Sequence, residues 1–132
     1  MADTMQFDLV SPERSLASAQ ATEVRIPGAE GDLTAMADHA PVITTLRPGV
    51  LTVVSNDGEQ DFLVVGGFAE VSPAGTSVLA ERAYAKADVT REILDGLVAD
   101  AMAARDNASA EGADMAAKFL ADLQAAGAQL GL

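Results

Sequence analysis

An α+β fold is predicted, with a β-sandwich (a flattened barrel of short antiparallel strands) over residues 1–85 and an antiparallel two-helix hairpin over 86–132. Three observations predict it. Up to about residue 82, apolar residues alternate with polar ones or run in short β-branched stretches. Turn signals punctuate that region about every eight to twelve residues. From Asp88 onward there is no proline, thirteen of the forty-five residues are alanine, and the apolar spacing lengthens to four.

The elements follow in order. Met5, Phe7 and Leu9 alternate with Gln6 and Asp8, the period of a half-buried strand. Pro27-Gly28, Gly31 and Pro48-Gly49 are breaks between strands. Val50 to Val54 and Phe62 to Val65 flank Ser55-Asn56-Asp57-Gly58, where glycine supplies the positive φ of a tight hairpin turn. Val71 and Val78-Leu79 flank a second turn at Pro73-Ala74-Gly75. The Gly66-Gly67 pair follows a strand and opens no helix, so it reads as a bulge, not a phosphate cradle. In the helical part, Val89, Ile93, Leu97 and Ala101 trace one face, and Met115, Phe119 and Leu123 another, beside Ala116 and Leu120. Asp88 is the expected N-cap. Asp106-Asn107 and Gly112 bound the connection, and its shortness makes the helices antiparallel. Gly96 is expected opposite Leu120, where a missing side chain would let the helices approach.

Composition excludes several classes of function. Eight basic against twenty acidic side chains give a net charge of −12. Such a surface repels phosphate backbones and anionic headgroups, so neither nucleic-acid binding nor direct membrane insertion is expected. No apolar run approaches the ~18 residues that a membrane span requires. Residues 1–10 carry Asp3 and Asp8 and no basic cluster, unlike a secretory signal or transit peptide. The chain has no cysteine and one histidine, His39. Thiolate catalysis and cysteine- or histidine-rich metal sites are thereby excluded, and no cofactor is expected. Neither a nucleophile elbow nor a Gly-x-x-x-x-Gly-Lys phosphate loop is present.

An ordered set of motifs carries a resemblance. It comprises Pro27-Gly28-Ala29-Glu30-Gly31-Asp32, His39-Ala40-Pro41, Leu46-Arg47-Pro48-Gly49, then Val65-Gly66-Gly67-Phe68-Ala69-Glu70-Val71 and Val78-Leu79-Ala80-Glu81. Together they resemble the epsilon subunits of bacterial ATP synthases, whose mitochondrial counterpart is called delta. The resemblance extends over essentially the whole chain. It implies a non-catalytic central-stalk rotor subunit, peripheral on the cytoplasmic face of the bacterial plasma membrane, that couples the gamma subunit to the membrane c-ring. Glu30, Gly31 and Asp32 are then expected to meet the polar loops of the c-ring, and His39 and Thr44 the gamma subunit. Family members also use the hairpin as a brake that reaches the beta subunit. Here residues 86–132 hold four basic and eight acidic groups, so that brake is expected to be weak. Some members bind ATP on the folded hairpin. Glu81, Asp88 and Arg91 match that pattern in part, Ala87 and Glu92 depart from it, and an N-cap with a solvated arginine is the favoured reading.

Two readings from other classes compete. A stand-alone β-sandwich module with a helical dimerisation arm would form a stable oligomer and ignore gamma. An enzyme using Glu30 and Asp32 as acid and base would need a cleft around them, and a hairpin tip offers none.

Overall fold

A computed structural model of the chain describes residues 3–132; Met1 and Ala2, the start of the segment considered above as a leader, lie outside it. Eight strands come first: β1 (Met5–Val10), β2 (Ser15–Ala21), β3 (Glu23–Gly28), β4 (Gly31–Met36), β5 (Val42–Thr45), β6 (Gly49–Ser55), β7 (Gly58–Ser72) and β8 (Gly75–Ala85). A 3-10 turn at Lys86–Asp88 leads into α1 (Arg91–Asp106) and α2 (Ala113–Gln129). The α+β class is as predicted, with two refinements. β7 and β8 are long, at 15 and 11 residues. β1 and β8 pair in parallel, whereas the other paired strands are antiparallel. The order is β2-β1-β8-β7-β6-β3-β4, with β5 also beside β7.

The turns form where their residues demand. Gly58 carries φ 120° after the two-residue Asn56-Asp57 loop. A more consequential device lies inside β7. Its residues in the sandwich interior are Phe62 and Val64 before Gly66-Gly67, but Ala69 and Val71 after them. The inward-facing positions thus change from even to odd. β8 changes at the same level, with Val78 and Ala80 inside on one side and Ala83 on the other. So does the β5–β6 line, where Val42 and then Leu51 and Val53 face inward across the break at Arg47-Pro48. Both glycines have positive φ, 78° and 104°, and a Cβ on Gly67 would lie 2.1 Å from the Leu79 carbonyl oxygen. Only glycine permits this reversal of faces.

Two apolar clusters result. One fills the sandwich around Phe7, Leu9, Ile26, Leu51 and Val64. The other lies on the outside of β6 and β7, where Val50, Leu63 and Val65 meet Leu94 and Leu97 of α1 and Leu120 and Leu123 of α2. Phe62 to Val65 is therefore buried on both faces, which accounts for its unbroken apolar character. Burying each such leucine or valine contributes about 1.5–3 kcal/mol.

The helices depart from the sequence-based expectation in three places. The N-cap of α1 is Thr90, whose hydroxyl accepts from the Ile93 N–H at 3.1 Å; Asp88 instead closes the 3-10 turn. Val89 is extended and buried in the second cluster, which pushes the helix start beyond it. Met115 is 79% exposed, because α2 turns Leu120, Leu123 and Ala126 inward. Finally, the close helix approach is made by Gly127, where a Cβ would lie 2.6 Å from Leu94 Cδ2, while Gly96 faces open space.

These placements fix the signs of three substitutions. In urea unfolding, Gly67→Ala lowers stability by about 2 kcal/mol or more through strain and backbone overlap. Gly96→Ala raises it by up to about 1 kcal/mol, since it gains helix propensity and meets nothing. Thr90→Ala lowers it by about 1 kcal/mol through loss of the cap.

Candidate functional site

The β3–β4 hairpin closes through Ala29-Glu30, between the paired Gly28 and Gly31. Gly31 has φ 138°. At Gly28 a Cβ would sit 2.6 Å from the Gly31 carbonyl oxygen, so the two strands can draw this tight a tip only without one. Glu30, Gly31 and Asp32 are all exposed. Their carboxylates differ in circumstance. Asp32 accepts a charged hydrogen bond from Arg47 Nη2, whereas Glu30 stands at the apex with no partner among the described residues.

Arg47 is the residue to which the sequence alone assigns no role at the tip. Its Nη1 donates to the Gly28 carbonyl at 2.7 Å, and its backbone N–H donates to the Pro27 carbonyl at 3.0 Å. Ala29 N–H in turn donates to the Thr45 carbonyl at 2.8 Å. The tip is therefore fastened to the β5–β6 corner on both sides. In sequence, Arg47 reads as one member of an Arg-Pro-Gly turn, and only a fifteen-residue separation closed in space reveals its partner.

His39 lies in the loop between β4 and β5, after Asp38 at φ 65°. With its proton on Nδ1, the ring donates to the Ala40 carbonyl at 2.6 Å. Thr44 is opposite buried Ala69, so it stands on the inward side of β5, half-buried next to Gly28. Ile43 and Thr45 are the outward residues. Ile43 is 70% exposed, and across the sheet so are Phe68, Leu79 and Val10, at 43%, 45% and 37%. Thr45, Phe68, Leu79 and Val10 are direct neighbours in one row over β5, β7, β8 and β1. The adjacent row is Ile43, Glu70, Ser77 and Asp8. Phe68 and Leu79 point outward because of the glycine reversal, whereas Val10 does so by ordinary alternation with buried Leu9.

Glu81, Asp88 and Arg91 are dispersed. Glu81 opposes Gly66 and lines a cleft of about 190 Å³ with Leu97, Asp100 and Phe119, a cleft that neither Asp88 nor Arg91 enters. Arg91 pairs with Asp95 at 3.5 Å on the exposed side of α1. Another cleft, of about 310 Å³, runs under α2 with Arg25, Asp32 and Arg47 on one wall and Asp122 and Gln129 on the other. Its two guanidiniums are already paired, Arg47 with Asp32 and Arg25 with Glu23 at 2.6 Å. The hydrogen bond from Arg25 to Glu23 raises the Arg25 guanidinium above its ordinary value. No group of three metal-ligating side chains assembles among the described residues.

The family described as ATP synthase, Delta/Epsilon chain, beta-sandwich domain matches residues 4–86. The ATP synthase epsilon chain of Rhodobacter capsulatus is 57% identical over 132 residues, covering all of both chains. That of Paracoccus denitrificans is 50% identical over 139 aligned positions, covering all of this chain and 94% of the relative. Among solved structures, a chain of the Euglena gracilis mitochondrial ATP synthase, seen with OSCP, F1 and the c-ring, superposes with a TM-score of 0.74 at 20% identity. The match covers 96% of this chain and 81% of that one, and the likeness is one of fold.

Because Ile43 is 70% exposed, Ile43→Thr, which keeps the β-branch, should leave the unfolding free energy within about 0.5 kcal/mol of wild type by urea titration.

Proposed function

The chain belongs to the ATP synthase delta/epsilon family as an epsilon chain, and on that premise we propose that it is a non-catalytic rotor coupling between the gamma subunit and the c-ring. The observation that carries this reading is the exposed apolar row of Phe68, Leu79 and Val10 with Ile43 beside it, which meets the acidic tip at Thr45. Monomeric proteins seldom leave such a row open without a partner. The row is assigned to gamma, together with His39 before β5; Thr44, on the inward side of β5, would act there only through its outward neighbours Ile43 and Thr45. Glu70 and Asp8 lie beside it and call for basic groups on the facing surface, which steer encounter more than they add affinity. The tip of Glu30, Gly31 and Asp32 is assigned to the polar loops of the c-ring.

Torque transfer asks for stiffness between the two contacts. The domain assigned to residues 1–85 supplies it, close-packed over its described residues. Residues 86–132 form the second, and their role is regulatory and weak. Their net charge of −4 disfavours an extended arm on an acidic region of the beta subunit. In the folded position they cover Leu63 and Val65 and pair Asp100 with Arg82 at 3.6 Å. A nucleotide site is disfavoured, since Arg91 is engaged by Asp95 and lies outside the cleft that Glu81 lines. No helix among the described residues is long and apolar enough to cross a membrane. Attachment as a peripheral subunit at the cytoplasmic face of the bacterial plasma membrane would therefore run through its partners.

Three measurements test this. In pull-down with gamma, the double variant Ile43→Asp, Phe68→Asp should lose at least about tenfold in affinity, as expected when apolar anchors are replaced by charge; unchanged capture would exclude the face. Removing residues 88–132 should change ATP hydrolysis by the assembled complex less than about twofold, whereas a several-fold rise would show a working brake. Calorimetry of the isolated protein with ATP should give no binding heat.

A further inference from the structure

We propose that Arg47 is the positioning residue of the β3–β4 tip, orienting the exposed Asp32 carboxylate and the Gly28 turn, while Glu30 stands untethered at the apex. The inference deepens the c-ring reading above and rests on it for its functional consequence, though not for its structural one.

The geometry is that of a bidentate clasp. One guanidinium nitrogen holds the Gly28 carbonyl at 2.7 Å and the other holds the Asp32 carboxylate, on opposite sides of the turn. Arg47 is 27% exposed in its side chain and Asp32 79%, so the cation is the sheltered partner and the carboxylate is brought to it. Its own backbone is fixed as well, since its N–H bonds Pro27 and the preceding Leu46 N–H donates to the Gly67 carbonyl at 2.9 Å. A short chain of contacts thus runs from the tip, through Arg47, to the glycine reversal and the Phe68 row. The planar fork suits two acceptors on either side of a turn, and a lysine ammonium on the same stem satisfies them less well. That bond takes one acceptor position of the Asp32 carboxylate, which stays 79% exposed, so it orients Asp32 and leaves it open to a partner. Glu30, at the apex, has no such tether among the described residues.

Hydrogen exchange of the full-length protein tests the structural half. Arg47→Met should speed exchange of the 29–33 amides on the order of tenfold, the effect of losing a charge-assisted hydrogen bond, with the β7 amides unchanged. Asp32→Asn, a surface change that leaves the fold intact, should produce part of the same increase. The double variant should be no faster than Arg47→Met alone, and Arg47→Lys should recover only part of the protection. Tip amides that exchange at the wild-type rate in Arg47→Met and Asp32→Asn overturn the proposal. In the reconstituted complex, Arg47→Met should lower ATP-driven proton pumping relative to hydrolysis, and Arg47→Lys should recover part of it, as in exchange. A pumping defect in Arg47→Met with undisturbed tip exchange would also overturn the proposal. If exchange rises as stated while pumping stays normal in these variants and in Glu30→Gln, the clasp stands and the c-ring assignment falls.

Discussion

The reversal of faces at Gly66-Gly67 is the constraint on which the remaining architecture depends. A strand alternates its side chains strictly, so a 15-residue strand would keep one set of positions inward throughout. β7 escapes this through two successive positive-φ residues, and β8 and the β5–β6 line change with it because the ladders on both sides hold their register. Before the reversal, the outer face of β7 carries Leu63 and Val65, which the helices cover. After it, the outer face carries Phe68 and Glu70, which no element among the described residues covers.

One strand therefore serves three surroundings: the sandwich interior, the helical hairpin, and an open apolar row. The division explains why the helices sit where they do. They dock over Leu63 and Val65, on the half of β7 next to the end of β8 from which they start, and leave the other half free. The tip at Glu30 adjoins that free half through Ala29 and Thr45, so the two surfaces proposed for gamma and for the c-ring share one stretch of backbone. A load applied at either would reach the other through hydrogen bonds and packed strands, with no loop between.

Much of this is legible in the order of residues. Asp57-Gly58 and the flanking apolar runs locate the hairpin between β6 and β7, and the change to a four-residue spacing locates the helices. The motif series from Pro27 to Glu81 points to the family. Thr90 is hidden as the cap because Asp88 is an equally good cap by type, and only the burial of Val89 separates them. Gly96 is a plausible contact glycine in sequence and Gly127 is the actual one, because the facing side of a helix is set by the rotation of its partner. Thr44 stands out in the chain where its neighbours Ile43 and Thr45 face outward in the fold, since strand parity is unreadable across a break such as Arg47-Pro48.

By itself, the sequence determined the kinds of elements, their order, their turns and the family, because these rest on local periodicity, on φ preferences and on motifs contiguous in the chain. The tertiary structure alone decided which side of each strand faces out, which carboxylate Arg47 engages, and which glycine lies between the helices. Each of those is a relation between residues far apart in the chain, and a linear pattern holds no distance across the fold.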